Sequence, residues 1–296
     1  MPSRSTLALA LVLAPLAAMP LPVPAQSSGE AQLMLPDSRL AEEAPEVRAV
    51  FEAMGVYDII EVMSVEGLDS APEIEADMFP GQGGSAWPAV VAGIYATDSM
   101  VETFEAAVPV ERMTPAILGE LQAFYDTDLG RRIARGEVAA RQALLEPGVE
   151  DSAREMARQQ AEDETDRIGL LTEFIAANDL VERNVMGALN SNFAFYRGLD
   201  DGGAFEAEIP EELMLSEVWG QEAEIRADTT EWLYAYQILA YEDLSDAELQ
   251  RYIDLSESAA GQALNAALFE AFDVMFEEVS YDLGRAAGSF VAGEDT

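Results

Sequence analysis

The feature that most constrains this chain is a repeat of itself. Displaced so that Met113 falls on Leu244, the stretch Met113–Ile133 lies on Leu244–Leu264 without a gap. Thr114 meets Ser245, Leu118 meets Leu249, Leu121 meets Tyr252, Phe124 meets Leu255, Thr127 meets Ser258, and Gly130 meets Gly261. Identities are few, but the paired positions are those where helices start, turn and touch. Thr114 and Ser245 have the oxygen side chains that accept a free backbone N–H at a helix start. Pro115 sits at the first helical position in one copy, and Ser245…Glu248 has capping-box spacing in the other. Thr127 and Ser258 read as a second pair of caps, and Gly130 and Gly261 leave room for two helices to approach. Each copy therefore reads as a helical hairpin. The preceding segments match more weakly, with Phe51 on Phe174 and Val62-Met63 on Val185-Met186. The shift there is smaller by eight residues, and the extra residues are expected in the Asn190–Ile209 segment.

The rest of the chain carries helical signals and no sustained period-2 alternation. Pro45 opens a helix with Val47, Val50, Phe51 and Met54, which Gly55 can close. A short apolar helix follows over Val56–Met63. Pro88 opens another that continues through Val101 and Phe104. Glu150–Asn178 reads as one long connecting helix, broken near Gly169, with Glu150/Arg154 and Asp163/Arg167 as acid-first i,i+4 pairs. Ser64–Ala86 and Asn190–Ile209, which contains Asp200-Asp201-Gly202-Gly203, read as loop-rich. The expected fold is all-α: two pseudo-repeated helical-hairpin bundles joined by a long connecting helix. Residues 45–150 form the first half and 151–296 the second, with 292–296 expected to be disordered.

Residue types that are missing exclude whole classes of chemistry. The chain has no histidine and no cysteine, and all 16 of its basic residues are arginine. Ser-His-Asp and Cys-His nucleophiles, Schiff-base lysines, zinc sites built on His or Cys, and disulfides are thus impossible within it. Against those 16 arginines stand 56 acids, a net charge of −40. Such a chain repels nucleic-acid phosphates and anionic lipid, so neither is an expected partner. The acids are spread along the chain, which reads as a solvated surface.

Residues 1–25 read as a secretory leader. Arg4 precedes the apolar run Leu7–Ala14, and Pro20, Pro22 and Pro24 break the helix before the cleavage pattern Val23-Pro24-Ala25. That run is too short to span a bilayer. Residues 26–44 are expected to be a flexible N-terminal segment. The mature protein is expected to be periplasmic or secreted, without a membrane span after cleavage, its partner being another envelope protein.

The hairpin residues also carry a family resemblance. Met113-Thr114-Pro115…Leu118…Leu121…Phe124-Tyr125-Asp126-Thr127-Asp128-Leu129-Gly130 resembles the signature of domain of unknown function two thousand and fifty-nine. In the second copy, Leu244-Ser245-Asp246-Ala247-Glu248-Leu249 is similar to its first element and Ser258-Ala259-Ala260-Gly261-Gln262 to its second. Asp128 and Ala259 stand where the family has a proline, and only the first copy has Phe-Tyr. The resemblance implies an exported, helical bacterial protein and brings no activity, cofactor or ligand.

Several groupings invite a chemical reading. Asp126, Asp128 and Glu137 fall at positions 1, 3 and 12 of a calcium-type loop, but Arg131 takes the place of the turn glycine. They read as acids at a helix start. Seven arginines from Arg131 to Arg167 could clamp an anion, yet nine acids share that window, so ion pairs on solvated helices are expected. Glu211-Glu212, Glu222 with Glu224, and Glu277-Glu278 are acid pairs of the kind that hydrolyse glycosides without histidine. Trp232, Tyr236 and Leu239 follow the i, i+4, i+7 spacing of a core-facing stripe. No catalytic, cofactor-binding or metal-binding residue is assigned. The expected function is a non-enzymatic structural or interaction role in the cell envelope. The alternatives are a carboxylate-dependent hydrolase of envelope polysaccharide and an acidic binder of cationic partners.

Overall fold

A computed structural model describes residues 39–205, 207 and 209–293. Residues 1–25, read as a leader, and 294–296 lie outside the described residues, as does the segment 26–44 except for its last residues. Those last residues form the helix α1 (Arg39–Glu43), whose Leu40 is buried in the core. Ala292 and Gly293, expected to be disordered, instead end and cap the last helix. There is no strand among the described residues.

The helices follow in order: α2 (Pro45–Met54), α3 (Val56–Met78), α4 (Ala86–Ile94), α5 (Thr97–Ala107), a 3-10 turn (Val110–Arg112), α6 (Pro115–Tyr125) and α7 (Asp128–Leu144). Then come α8 (Val149–Glu162), α9 (Asp166–Ala177), α10 (Leu180–Asp201), α11 (Glu211–Trp219), α12 (Glu222–Ala240), α13 (Asp246–Glu257) and α14 (Ala259–Ala292). Pro45 stands in the first turn of α2, and Gly55 ends that helix in the left-handed region, φ 74°.

Four local expectations are corrected. The Ser64–Ala86 segment is helical up to Met78, as a continuation of the Val56 helix. Its buried stripe runs through Ile60, Ser64, Gly67, Ala71 and Ile74, so small and polar residues hide the apolar period, and Pro72 inside the helix imitates a break. Asn190–Ile209 is likewise helical to Asp201, with Ser191, Asn192 and Gly198 on the buried side. The connecting helix breaks at Asp163–Thr165 rather than near Gly169. The Thr165 hydroxyl accepts the Ile168 N–H at 3.3 Å and starts α9 anew, and Glu164 takes a positive φ of 50°. Because of that break, Arg167 pairs with Asp246 at 3.1 Å instead of Asp163. The Pro88 helix also ends early, at Ile94, and Val101 and Phe104 belong to the separate α5.

In the first part of the chain α1 packs on α2 and α5, α2 on α3, α6 and α7, α3 on α4, α5 and α7, and α6 on α7. In the second part α8 packs on α9 and α12, α9 on α10, α12 and α13, α10 on α11, α12 and α14, and α13 on α14. The two sets are also interlocked, since α14 packs on α5 while α7 packs on α12. A single large core, from Leu40 to Val279, gathers residues from both. A smaller cluster around Phe79, Trp87 and Phe290 closes one end, with the Trp87 indole donating to the Ala71 carbonyl at 2.7 Å.

The tightest crossing is α10 against α14. A Cβ on Gly198 would come within 2.7 Å of the Arg285 nitrogen, and one on Gly288 within 2.7 Å of the Leu199 carbonyl oxygen. Gly202 and Gly284 are blocked by the opposite backbone in the same way. Glycine at i and i+4 on both helices is what permits this approach.

Candidate functional site

Glu137 lies at the meeting of α7, α12 and α13. On α7 it shares a stripe with buried Ile133, Ala140 and Leu144, at i+4, i+7 and i+11 from Ile133. An acid at such a position is carried into the core side by the helix period. Its neighbour Gly136 brings α7 against α12, because a Cβ there would collide with the Ala240 carbonyl. The result is a carboxylate among tyrosines. Glu137 Oε1 accepts the Tyr241 hydroxyl at 2.8 Å and the Tyr252 hydroxyl at 3.0 Å. The Tyr236 hydroxyl donates to the Glu137 backbone carbonyl at 3.2 Å. Tyr125 is hydrogen-bonded to Tyr252 behind them.

Burial raises the Glu137 carboxyl to about 7, against the opposing pull of the two phenol hydrogen bonds. Burial likewise pushes Tyr236, Tyr241 and Tyr252 well above their ordinary range, and the neighbouring Glu137 carboxylate adds to it. Arg141, one turn on, is engaged elsewhere: it pairs with Glu66 and lies 5.0 Å over the Trp232 ring. Trp232 stacks on Tyr236 with centroids 5.3 Å apart. The aromatic stripe of α12 therefore covers α7 rather than an open groove. Chemically, the arrangement can hold or release one proton close to neutrality.

The calcium-type loop does not assemble. Asp126 ends α6, Asp128 pairs with Arg132 at 3.3 Å, and Glu137 is held by the tyrosines. Five of the seven arginines are paired with acids, among them Arg154 with Glu150 at 2.6 Å and Asp228 at 2.9 Å, Arg158 with Glu155 at 3.0 Å, and Arg132 also with Glu248, while Arg131 donates to the Asp126 backbone carbonyl. The paired acids do not face one another across a cleft. Glu211 and Glu212 are exposed at the start of α11, Glu222 pairs with Arg226 at 2.6 Å, and Glu277 and Glu278 are exposed on α14. A different acid, Asp273, is raised to about 6 by burial and by Glu277, with Arg183 opposing.

The hairpin residues have structural roles. The Thr114 hydroxyl accepts the Ile117 N–H at 3.5 Å, the Thr127 hydroxyl the Gly130 N–H at 3.0 Å, and the Ser258 hydroxyl the Gly261 N–H at 3.1 Å. At Ser245 the hydroxyl instead donates to Glu248 at 2.8 Å, and the same carboxylate takes the Ser245 N–H at 2.9 Å. A Cβ on Gly130 would lie 2.6 Å from Tyr125 Cα, and one on Gly261 would lie 2.8 Å from Ser256 Cα. Tyr125 and Ser256 are themselves equivalent in the alignment.

Residue-type reasoning about loops and acid pairs passed over Glu137 as a centre of its own. The signal was present in the sequence as one acid on the buried stripe of an otherwise amphipathic helix. No described helix is long and apolar enough to cross a membrane. Comparisons with family models, curated proteins and solved structures found no match to this chain.

Proposed function

We propose that this chain is an exported helical protein with a non-enzymatic structural or interaction role in the cell envelope, built from two related seven-helix halves. The observation that carries this reading is the shared use of the hairpin residues. Thr114 and Ser245, Thr127 and Ser258, and Gly130 and Gly261 all act in helix starts and close turns, and none converges on a site. The interlocked packing of α5 with α14 and of α7 with α12 further supports two halves that pair through a local two-fold relation. The helix lengths suit it too. Helix α12 has 19 residues to the 11 of α5, so the additional residues of the second copy extend a helix instead of the Asn190–Ile209 segment. The divide then falls between α7 and α8. The resemblance of the hairpins to domain of unknown function two thousand and fifty-nine agrees with an envelope location.

Expression of the whole chain in a Gram-negative host tests the location. The expected product is a protein cleaved after Ala25 outside the cytoplasm; an uncleaved cytoplasmic protein would overturn the reading. Turnover of glycan substrates that disappears with a single carboxylate substitution would favour the hydrolase instead.

A further inference from the structure

Glu137 joins elements from both parts of the chain. It is borne by α7, and its two hydroxyl partners follow α12 and lie on α13. The aligned position on α14 is Leu268, which sits at the margin of the apolar core, so an acid is not what this place in a hairpin requires. The groups around it offer hydrogen bonds without a compensating cation. Tyr125 faces it from α6, Tyr236 from α12, and Tyr252 from α13. On α7 itself, Arg141 is turned to Glu66 of α3. From α9, Arg167 reaches the Tyr241 carbonyl and Asp246. Arg154 of α8 is occupied by Glu150, Asp228 and Glu231, and Arg48 of α2 lies near Glu52 and Glu105. The influences on the Glu137 carboxyl are burial and the two phenols, with no arginine among them.

We propose that Glu137 makes the α7–α12–α13 junction a proton-controlled clamp, closed while the carboxyl is protonated and loosened when it ionises. Glu137 is partly buried, and in the folded chain two phenol hydroxyls on Oε1 stand in for much of the water that an ionised carboxylate holds when unfolded, so ionisation weakens the junction relative to the open chain. The carboxyl is raised from 4.5 to about 7 in the folded chain. The folded state therefore holds the proton more tightly than the unfolded one. Its contribution to stability is full below the unfolded value and is lost as pH rises through the folded value. This is the reverse of an ordinary salt-bridged acid.

The test is denaturation of the whole chain between about pH 5 and pH 8, in salt high enough to screen the general acidity. Ionisation of Glu137 should raise the unfolding constant of the wild type on the order of 50-fold over that interval. Glu137→Gln, which imitates the protonated group, should remove most of the rise, leaving the smaller part that Asp273 contributes, match the wild type near pH 5 and exceed its stability at pH 8. In parallel, the side-chain carboxyl carbon of Glu137 should titrate near 7 by NMR, and Tyr252→Phe, which removes a donor to the carboxylate, should move it higher. A carboxyl that titrates in the ordinary carboxylate range would overturn the proposal even if Glu137→Gln failed to fold. So would a Glu137→Gln protein that keeps the wild-type pH slope.

Discussion

Two helix crossings in this molecule, α14 on α5 and α7 on α12, are made of different chemistry. Where α14 meets α5, Phe272 packs on Phe104 with centroids 4.7 Å apart, and Phe276 stacks behind at 6.2 Å. Where α7 meets α12, the aligned residues are Arg141 in place of Phe272 and Glu137 in place of Leu268. Around them stand Trp232, Tyr236, Tyr241 and Tyr252. The apolar crossing is held by burial, which acts at any pH. The polar crossing is held by hydrogen bonds to a group whose charge changes near neutrality, and it gains a dependence on conditions that the other lacks. Glycine adds a second difference. Gly136 touches the backbone of Ala240, whereas the aligned residue on α14 is the fully buried Ala267, so α7 and α12 approach where a side chain would not fit.

The sharpest way to break the comparison is to move the acid. Leu268→Glu places a carboxylate beside the apolar core without the phenols that serve Glu137. At pH 8 it should cost about 2–3 kcal/mol in denaturant unfolding, the upper range for a polar group left without partners at a partly buried place. A cost under about 1 kcal/mol would show that the hydroxyls at Glu137 are incidental. Next comes Gly136→Ala, which should destabilise by about 2 kcal/mol because the new Cβ meets the Ala240 backbone. Alanine already occupies position 267, so a neutral result would mean the two crossings are equally spaced.

Smaller again is the loss of one phenol. Tyr241→Phe removes a hydrogen bond to a carboxylate while keeping the ring, and should cost about 1.5 kcal/mol at pH 8. The cost should shrink toward pH 5, where Glu137 carries its proton and the bond joins neutral groups. An equal cost at both pH values would place the effect in ring packing.

How far the fold could be read from the sequence depended on what marked each helix. Caps and a turn glycine announce α2, α6, α7 and the α13–α14 corner, and there the residue types alone locate the elements: Pro45, Gly55, Thr114, Thr127, Ser245 and Ser258. The two long helices were hidden in their later parts for one physical reason. Their buried stripes use Ser64, Gly67 and Ala71 in α3, and Ser191, Asn192 and Gly198 in α10, which carry almost no apolar signal. Such residues are selected by how closely the partner approaches, and Gly67 against the Tyr95 ring or Gly198 against α14 is visible only in three dimensions. The candidate site was legible in part. Position 137 falls on the buried stripe of α7 by counting, but its tyrosine partners lie about a hundred residues away in sequence and are brought to it by the interlocking of α7 with α12.

The smallest expected effects lie at the two helix starts, where the comparison becomes one of capping geometry. Thr114 holds its N–H partner at 3.5 Å, a long hydrogen bond, and Pro115 removes one of the donors that would otherwise need a partner. At the other start the cap rests on Glu248, which receives both the N–H and the hydroxyl of Ser245 and is also paired with Arg132 of α7. Arg132 and these Ser245 bonds hold the Glu248 carboxyl down to about 2. Its contribution is therefore present above the ordinary carboxylate range and fades as pH falls toward 2, opposite in sign to that of Glu137. Thr114→Ala should then cost about 0.5 kcal/mol and Ser245→Ala about 1 kcal/mol, near the low end of N-cap losses. Because Ser245 and Glu248 share their bonds, the double change Ser245→Ala with Glu248→Ala should cost less than the two single changes combined. Strict additivity would mean that Glu248 stabilises the molecule through Arg132 alone and that the two hairpin starts are equivalent after all.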